Sequence, residues 1–249
     1  MSQRVQFLIC GAQKAGTTAL AGYLKRHPQL ELPGVKEPHF FDRETLDWQA
    51  PAEQRETDYH AMFAPRPGCL WGESTPVYLY WKPSAERIWR YNPSMKLIVL
   101  LRNPISRAYS HWNMERQRGR ESMDFFQAIQ QEAERCREAS PLQHRVYSYV
   151  DRGFYSAQLE RLWHWFGREA VLVMRQEDLL SEANQCLEHV YQHLGVQSIA
   201  HTGPLHLHQR RYAAPMPEEA KVWLIRRYES EIACLEKLLG WNCQHWLEA

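Results

Sequence analysis

The sequence lacks a long hydrophobic run, a paired-cysteine motif and an excess of charge, and each absence excludes a class of protein. No segment of its 249 residues approaches the ~18 uninterrupted apolar residues of a membrane span. The six cysteines are scattered without a C-x-x-C pair, which favours free thiols in a reducing compartment over disulfides. A formal net charge of +1 at pH 7 argues against a general nucleic-acid-binding protein, whose basic excess would show.

Internal repeats, low-complexity tracts and a signal-peptide pattern are absent as well. The N-terminus passes almost at once into an apolar strand pattern. We therefore expect a cytoplasmic protein, or a catalytic domain supplied without its targeting segment. No domain boundary is evident, so the sequence predicts a single domain over residues 1–249, a length that suffices for one substantial core.

The most informative stretch of the sequence joins a strand pattern to a helical pattern through a glycine-bounded loop. Gly11 and Gly16 allow sharp turns and a close approach of the backbone to a ligand. The helix that follows contributes N–H donors and a partial positive charge at its N-terminus. Lys14 adds a full charge, and the hydroxyls of Thr17 and Thr18 can donate to phosphate oxygens or cap the helix. The loop therefore predicts a phosphate-binding site.

This loop differs from the standard Walker A motif, in which a lysine and a serine or threonine directly follow the second glycine. Here the lysine lies inside the loop, and two threonines follow the second glycine. A P-loop kinase or ATPase would also place a magnesium-binding aspartate after a neighbouring strand. Only Asp178, a few residues beyond the apolar run 171–174, comes near that position. A nucleoside-triphosphate-dependent kinase is thus an alternative that the displaced lysine disfavours.

Apolar runs alternate with helical patterns along the chain, which predicts an α/β fold with three α/β/α layers and a central parallel sheet. The run 95–101 is apolar on both faces, as is typical of a central parallel strand. Further strands are predicted at 5–10, 70–76 and 171–174. Helices are predicted near 51–63, from Pro104, and over 84–91, 124–137, 154–166, 182–194 and 217–239.

A second candidate binding segment begins where the predicted central strand ends. Arg102 follows that strand, and ligands in open parallel sheets bind beyond the carboxyl ends of the strands. Its guanidinium can form a bidentate pair with a phosphate. Ser110 lies about two helical turns further on. Whether both side chains reach one phosphate depends on how the helix at Pro104 begins.

Together, the two segments resemble the sulfotransferases that use 3′-phosphoadenosine 5′-phosphosulfate (PAPS). The lysine inside the loop, followed by Gly-Thr-Thr, resembles the 5′-phosphosulfate loop of that family. Arg102, Pro104 and Ser110 match its 3′-phosphate segment in order and spacing. The resemblance continues at 153–155 and 211–216, so it spans nearly the whole chain, and it is closest to the soluble bacterial and heparan-type carbohydrate branch. It implies the P-loop-like sulfotransferase fold.

The resemblance also implies a reaction and a set of nucleotide contacts. An acceptor hydroxyl or amine would attack the sulfuryl group of PAPS in line and release 3′,5′-adenosine bisphosphate (PAP). Lys14 would stabilise the charge that develops on the leaving oxygen. Because the transferred group is already activated, no metal is required. The residues implied for the nucleotide are Gln13, Lys14, Ala15, Gly16, Thr17, Thr18, Arg102, Ser110 and Tyr155, with Arg210 and Arg211 as additional candidates.

The acceptor proton needs a general base, and three residues are candidates. Glu37 is the first and His39 the second, because residues 36–41 resemble the heparan-type segment in which a glutamate before an aromatic-rich turn serves as base. His111 is the third, since cytosolic members of the family use a histidine. The competing interpretations are a solvated carboxylate paired with Lys36 for Glu37, and simple packing for His111.

The sequence departs from the family pattern at two places. Residues 73–76 carry no lysine before Thr-Pro, and Lys36 or Arg210 is the candidate substitute. The late Lys-Gly-Arg loop is replaced by residues 206–211, where His206-x-His208 lacks an obvious third metal ligand. No metal site is therefore predicted.

The aromatic run Tyr78, Tyr80 and Trp81 fits either stacking on an acceptor or packing in the core. The acceptor itself stays open between a small molecule, a carbohydrate and a carrier-bound intermediate, and so does the oligomeric state. A non-catalytic module that binds PAP is a further alternative, which the combination of Lys14 with Glu37 disfavours.

Overall fold

The computed structural model of the protein describes residues 4–64, 66–200 and 214–248. These residues fall into two compact units that are interleaved along the chain. The first comprises residues 4–101 and 161–200, and the second comprises residues 102–160 and 214–248. The single domain expected over residues 1–249 stays a prediction.

A five-stranded parallel sheet forms the centre of the first unit, in the order β2-β3-β1-β4-β5. Every residue of β1 is buried, as are five of the six residues of β4, because a parallel sheet has both faces covered. The predicted α/β class with a central parallel sheet flanked by helices is thus confirmed. The strands are β1 (Phe7–Gly11), β2 (Leu30–Glu31), β3 (Leu70–Ser74), β4 (Lys96–Leu101) and β5 (Val171–Arg175).

The topology of the sheet determines where a ligand can bind. The central strand β1 pairs with β3 on one side and with β4 on the other. The chain first completes β2 and β3 and then crosses to β4 and β5, so the strand order reverses beside β1. In open parallel sheets, ligands bind beyond the carboxyl ends of the strands at such a reversal. The loop after Gly11 occupies this position.

Most predicted helices are present within one or two residues of their expected bounds. The helices of the described residues are α1 (Thr17–Leu24), α2 (Ala52–His60), α3 (Lys82–Tyr91), α4 (Pro104–Gln117), α5 (Phe125–Gln130), α6 (Glu132–Arg137), α7 (Tyr155–Phe166), α8 (Gln176–Ser181), α9 (Ala183–Leu194) and α10 (Glu218–Leu239). Two assignments differ from the sequence analysis. The single helix expected over 124–137 is divided into α5 and α6, and α8 was not predicted.

The second unit contains α4, whose start agrees with the sequence prediction. Asn103 caps the helix, since its Oδ1 accepts hydrogen bonds from the N–H groups of Ile105 at 2.9 Å and Ser106 at 3.3 Å. Pro104 occupies the first helical position, where its missing N–H costs nothing. The Asn103 amide also donates to the carbonyl of Trp246 at 2.9 Å. These contacts fix the backbone directly after Arg102.

The structure also bears on two features noted in the sequence. All six cysteines are free thiols, as predicted. Cys10 lies within β1, where burial raises the pKa of its thiol to about 12. Among the residues that the structure describes, no helix is long and apolar enough to span a membrane.

Candidate active site

The loop between β1 and α1 has a backbone that few sequences can adopt. A Cβ atom at Gly11 would lie 2.4 Å from Cδ2 of Leu79, so no side chain fits at the end of β1. Gly16 is the N-cap of α1 and has φ 90, in the left-handed region that glycine enters without strain. Lys14 has φ 73, which is uncommon for a residue with a Cβ atom. The two glycines and the strained lysine together determine the shape of the loop.

The start of α1 presents hydrogen-bond donors. The helix has no side-chain cap and no acidic residue in its first turn. Ala19 is the first residue of α1 whose N–H donates within the helix, to the carbonyl of Gly16, so the N–H groups of Thr17 and Thr18 have no intrahelical acceptor. The helix macrodipole adds a partial positive charge there. The Thr17 side chain is buried, whereas Thr18 is exposed and Lys14 is half-buried. This combination of donors and positive charge suits an anion.

Hydrogen bonds and packing hold the loop against neighbouring strands of the first unit. The Ala12 N–H donates to the carbonyl of Leu100 in β4 at 2.7 Å, and the Ala15 N–H donates to the carbonyl of Ala12 at 3.1 Å. Gln176, the first residue after β5, packs beside Gly16. A Cβ atom added to Gly16 would lie 3.5 Å from Cγ of Gln176. The sequence analysis did not identify Gln176 as part of this region.

The segment that contains the first two base candidates has a constrained backbone as well. Glu37 and His39 have φ 51 and φ 54, both in the left-handed region. The Nδ1 of His39 lies 3.1 Å from the carboxylate of Asp42, and its Nε2 lies 3.6 Å from Oε2 of Glu37. The side chain of Lys36 is 69% exposed, and its Nζ lies 3.8 Å from Oε1 of Glu37. The structure thus brings Glu37 and His39 together.

Two carboxylates flank the His39 imidazole and favour its charged form. The hydrogen bond to Asp42, and then that to Glu37, raise the pKa of His39 to about 9. A protonated imidazole donates from both nitrogens and has no lone pair with which to accept a proton. At neutral pH, His39 is therefore suited to orient a neighbouring carboxylate.

The sequence analysis missed a buried carboxyl group at the end of β3. Glu73 is fully buried and accepts hydrogen bonds from the hydroxyls of Tyr59 at 3.2 Å, Thr75 at 2.6 Å and Tyr78 at 2.8 Å. Burial raises the pKa of Glu73 to about 7, although these three bonds act in the opposite direction. The pattern Glu-x-Thr-Pro-x-Tyr could have indicated this buried carboxyl group, because it places two hydroxyl donors close to Glu73 in the sequence.

The structure decides between the two interpretations of the aromatic run. Tyr78, Tyr80 and Trp81 are all buried, so their rings belong to the core and are not available to stack on an acceptor. The Trp81 indole N–H donates to Glu44 at 2.7 Å. The hydroxyl of Tyr78, by contrast, is shared between Glu73 and the backbone of the neighbouring loop.

Within the second unit, Arg102 is held by its own helix and by α7. Its Nε donates to Oγ of Ser106 at 3.0 Å, and its carbonyl accepts the hydroxyl of Tyr155 at 2.9 Å. Tyr155 is fully buried. This geometry suits Tyr155 to holding the Arg102 backbone, whereas the resemblance implied a direct contact with the nucleotide. Ser110 lies on α4 and is 7% exposed.

The third base candidate lies in the interior of the second unit. His111 is fully buried, with its ring centroid 4.9 Å from that of Tyr149 and its Nε2 3.9 Å from Oε1 of Glu115. An imidazole in this position has no access to an acceptor hydroxyl, so we do not retain His111 as a base.

Arg210, Arg211 and the pair His206 and His208 lie outside the described residues. Across the described ranges, no cluster of three or more histidine, cysteine or acidic side chains could hold a metal.

Comparison with known families agrees with this geometry. The family described as "Sulfotransferase domain" matches residues 4–212. This chain belongs to the sulfotransferase family. The members of this family are sulfuryl-transferring enzymes, of the class EC 2.8.2.

The curated relatives that match this sulfotransferase include heparan sulfate 3-O-sulfotransferases. Human heparan sulfate glucosamine 3-O-sulfotransferase 3B1 is 29% identical over 200 residues, which are 79% of this chain and 47% of that protein. Human heparan sulfate glucosamine 3-O-sulfotransferase 6 is 38% identical over 109 residues, 43% of this chain and 29% of that protein. This sulfotransferase thus matches less than half the length of these curated relatives.

A solved structure covers nearly the whole chain. The sulfotransferase from Alicyclobacillus acidocaldarius is 28% identical, with a TM-score of 0.82 over 98% of this chain and 99% of that one. The sulfotransferase domain from the curacin biosynthetic pathway, at 18% identity and a TM-score of 0.52, shares the fold. Both similarities agree with the P-loop-like sulfotransferase fold.

Proposed function

We propose that this sulfotransferase moves the sulfuryl group of PAPS to an acceptor hydroxyl or amine by in-line displacement. The observation that carries the proposal is the loop at the end of β1, where a half-buried Lys14 precedes the uncapped start of α1. PAPS supplies an already activated sulfuryl group, and PAP is the product. A lysine, the backbone N–H groups at the start of α1 and two threonine hydroxyls fit the anionic end of such a nucleotide.

Each part of the nucleotide has its own set of proposed contacts. The backbone N–H groups of residues 15–18, with the hydroxyls of Thr17 and Thr18, bind the 5′-phosphate, and Gln13 is a further proposed contact to the nucleotide. Lys14 stabilises the negative charge that grows on the leaving oxygen, where it acts on the transition state more than on the ground state. Arg102 and Ser110 bind the 3′-phosphate. Arg210 and Arg211 are additional proposed contacts.

Glu37 is the proposed general base. It belongs to the segment that resembles the heparan-type branch, and its side chain is 28% exposed, so an acceptor can approach it. His39 donates to Asp42 and faces Glu37, and its raised pKa of about 9 leaves it protonated at neutral pH. We therefore assign His39 the task of orienting Glu37.

A carbohydrate hydroxyl is the proposed acceptor class, because the relatives with printed activities include heparan sulfate 3-O-sulfotransferases. Small molecules and carrier-bound intermediates are further classes to include in an acceptor screen.

The six free thiols support a reducing, cytoplasmic compartment for the chain.

Transfer of labelled sulfuryl from PAPS to an acceptor panel tests this function. We expect Lys14→Ala to lower the transfer rate by about 10²–10³-fold, the cost of removing a donor to developing charge. Lys25→Ala is the matched control, because Lys25 is an exposed lysine at the other end of α1.

Glu37→Gln tests the proposed base. We expect this variant to keep its PAP binding and to lose transfer activity. PAP binding without transfer to any acceptor would instead favour a non-catalytic module, and magnesium-dependent ATP turnover would favour a kinase.

A further inference from the structure

The hydroxyl of Tyr78 uses all of its hydrogen-bonding capacity inside the first unit. It donates to Oε1 of Glu73 at 2.8 Å and accepts the backbone N–H groups of Phe40 at 2.9 Å and Phe41 at 3.3 Å. A phenol has one proton and two lone pairs, so no capacity remains. Because the proton is directed at the Glu73 carboxylate, the lone pairs face the loop. Glu73 therefore sets the direction in which Tyr78 can accept.

The loop that receives these bonds is the one that carries the proposed base. Glu37 and His39 both have left-handed backbone angles, and such conformations persist only where the surrounding structure enforces them. Enforcement comes from the next two residues along the chain. The ring of Phe40 stacks on Tyr59 with a centroid separation of 4.2 Å and an interplanar angle of 2°. The N–H groups of residues 40 and 41 are held by Tyr78.

We propose that Tyr78 is a positioning residue for the acceptor side of the active site, oriented by Glu73 and acting through the backbone of Phe40 and Phe41 on the carboxylate of Glu37. This inference rests on the proposed function, since it assigns Tyr78 a task in proton abstraction by Glu37. A general base must lie within hydrogen-bond reach of the proton that it removes. A displacement of about 1 Å in a reacting group can cost a factor of about 10² in rate.

Two tyrosines of this cluster provide a matched pair for the test. The hydroxyls of Tyr59 and Tyr78 are both buried, and both donate to the same oxygen of Glu73. Tyr78 additionally accepts the loop N–H groups. Tyr78→Phe and Tyr59→Phe each remove one oxygen and keep the ring. Tyr59→Phe therefore controls for the loss of one donor to Glu73, at 3.2 Å for Tyr59 and 2.8 Å for Tyr78, while only Tyr78→Phe also removes the bonds to the loop.

Steady-state kinetics with PAPS form the first measurement. We expect Tyr78→Phe to lower kcat by about 10–100-fold with the KM for PAPS within about twofold, whereas Tyr59→Phe changes kcat by less than about threefold. In a Glu37→Gln background, Tyr78→Phe should cause little further loss, because both changes then act on the same step. Equal losses in the two tyrosine variants, or a full loss in the Glu37→Gln background, would overturn the proposal.

Amide hydrogen exchange at Phe40 and Phe41 is the second measurement, and it needs no activity. We expect exchange to accelerate at least about tenfold in Tyr78→Phe and to stay unchanged in Tyr59→Phe. Unchanged exchange in Tyr78→Phe would overturn the contact itself. If wild-type protein transfers no sulfuryl group, the proposed function fails, and exchange still tests the contact. Should Tyr78→Phe fail to fold, Glu73→Leu replaces it, because leucine removes the acceptor of the Tyr78 proton, and an unaltered kcat in folded Glu73→Leu overturns the proposal.

Discussion

His39 illustrates how a single side chain can link the candidate active site to the stability of the fold. Its pKa is raised from 6.5 to about 9, first by Asp42 and then by Glu37. A raised pKa in the folded state means that folding tightens proton binding. The stabilising contribution of His39 is therefore complete below pH 6.5 and is lost as the pH rises through about 9.

We expect His39→Gln to remove this pH-dependent contribution. The free energy of unfolding of wild type minus that of the variant should shrink as the pH rises from about 6.5 to about 9. Urea denaturation of both proteins at several pH values measures it. Glu132, whose pKa is raised to about 8, is present in both proteins and cancels in the difference. Glu73 does not cancel, because the charge of His39 lowers its pKa, which lies at about 7 near the lower edge of this window. A difference that grows toward alkaline pH would contradict the assignment.

Residue types alone could predict part of the site, because some groups carry their chemistry in the local sequence. Lys14, Gly16 and Glu37 stand in short motifs whose spacing is itself the signal. The burial of His111 and of Tyr155 could not be predicted, since it depends on partners such as Tyr149 and the carbonyl of Arg102 that other elements supply. Sequence motifs thus identified candidate groups but not their accessibility.

At the scale of elements, the start of α4 is the one most directly tied to the proposed nucleotide site. Asn103 caps the helix immediately after Arg102, and its amide reaches Trp246. We expect Asn103→Ala to lower the free energy of unfolding by about 1 kcal/mol, within a range of about 0.5–2 kcal/mol for lost caps. The affinity for PAP should fall as well, because the backbone that carries Arg102 loses its restraint.

Asn103→Asp is the control for this helix. An aspartate caps as well as an asparagine and favours the positive end of the helix dipole, but it cannot donate to the carbonyl of Trp246. Denaturant unfolding and calorimetric binding of PAP compare the three proteins. If Asn103→Asp loses as much stability as Asn103→Ala, the contact with Trp246 and not the cap is the source of the effect.

Elements with a strong local pattern were predicted well, whereas the break between α5 and α6 and the short helix α8 were not. β4 and α10 match their predicted ranges closely, because an apolar run and a 22-residue amphipathic pattern are strong signals. α6 begins at Glu132, whose buried carboxyl group accepts the N–H groups of Val150 at 2.6 Å and Asp151 at 2.7 Å. Such a contact, made to a distant part of the chain, leaves no trace in local periodicity.

At the scale of the whole molecule, nucleotide binding should appear as stabilisation of the folded chain. A ligand that binds only the folded protein adds about 2.7 kcal/mol at a concentration 100-fold above its Kd. We expect PAP to raise the thermal unfolding temperature of the wild type in a concentration-dependent manner. Arg102→Ala should require a higher PAP concentration for the same rise, because it removes a proposed phosphate contact.

Arg43→Ala serves as the control for this measurement, since Arg43 is exposed and belongs to the first unit. Adenosine without phosphates separates recognition of the base from recognition of the anions. Equal stabilisation by adenosine and PAP would contradict a site built around phosphate groups. Equal responses of the two arginine variants would remove Arg102 from the proposed contacts.

The contact between Gly11 and Leu79 has a consequence for redesign of this enzyme. Leu79 packs against the end of β1, and its N–H donates to the carbonyl of Cys10 at 2.8 Å, whereas the preceding Tyr78 holds the loop that carries Glu37. Adjacent residues thus support residues 12–18, which carry the proposed contacts to the sulfuryl donor, and residues 36–41, which carry the proposed base. A graft that imports a foreign acceptor loop should bring its own partner for position 78 and leave position 79 untouched. The loop that carries the proposed base could then be exchanged without altering the loop after β1, because their supporting residues, Tyr78 and Leu79, are adjacent but separate.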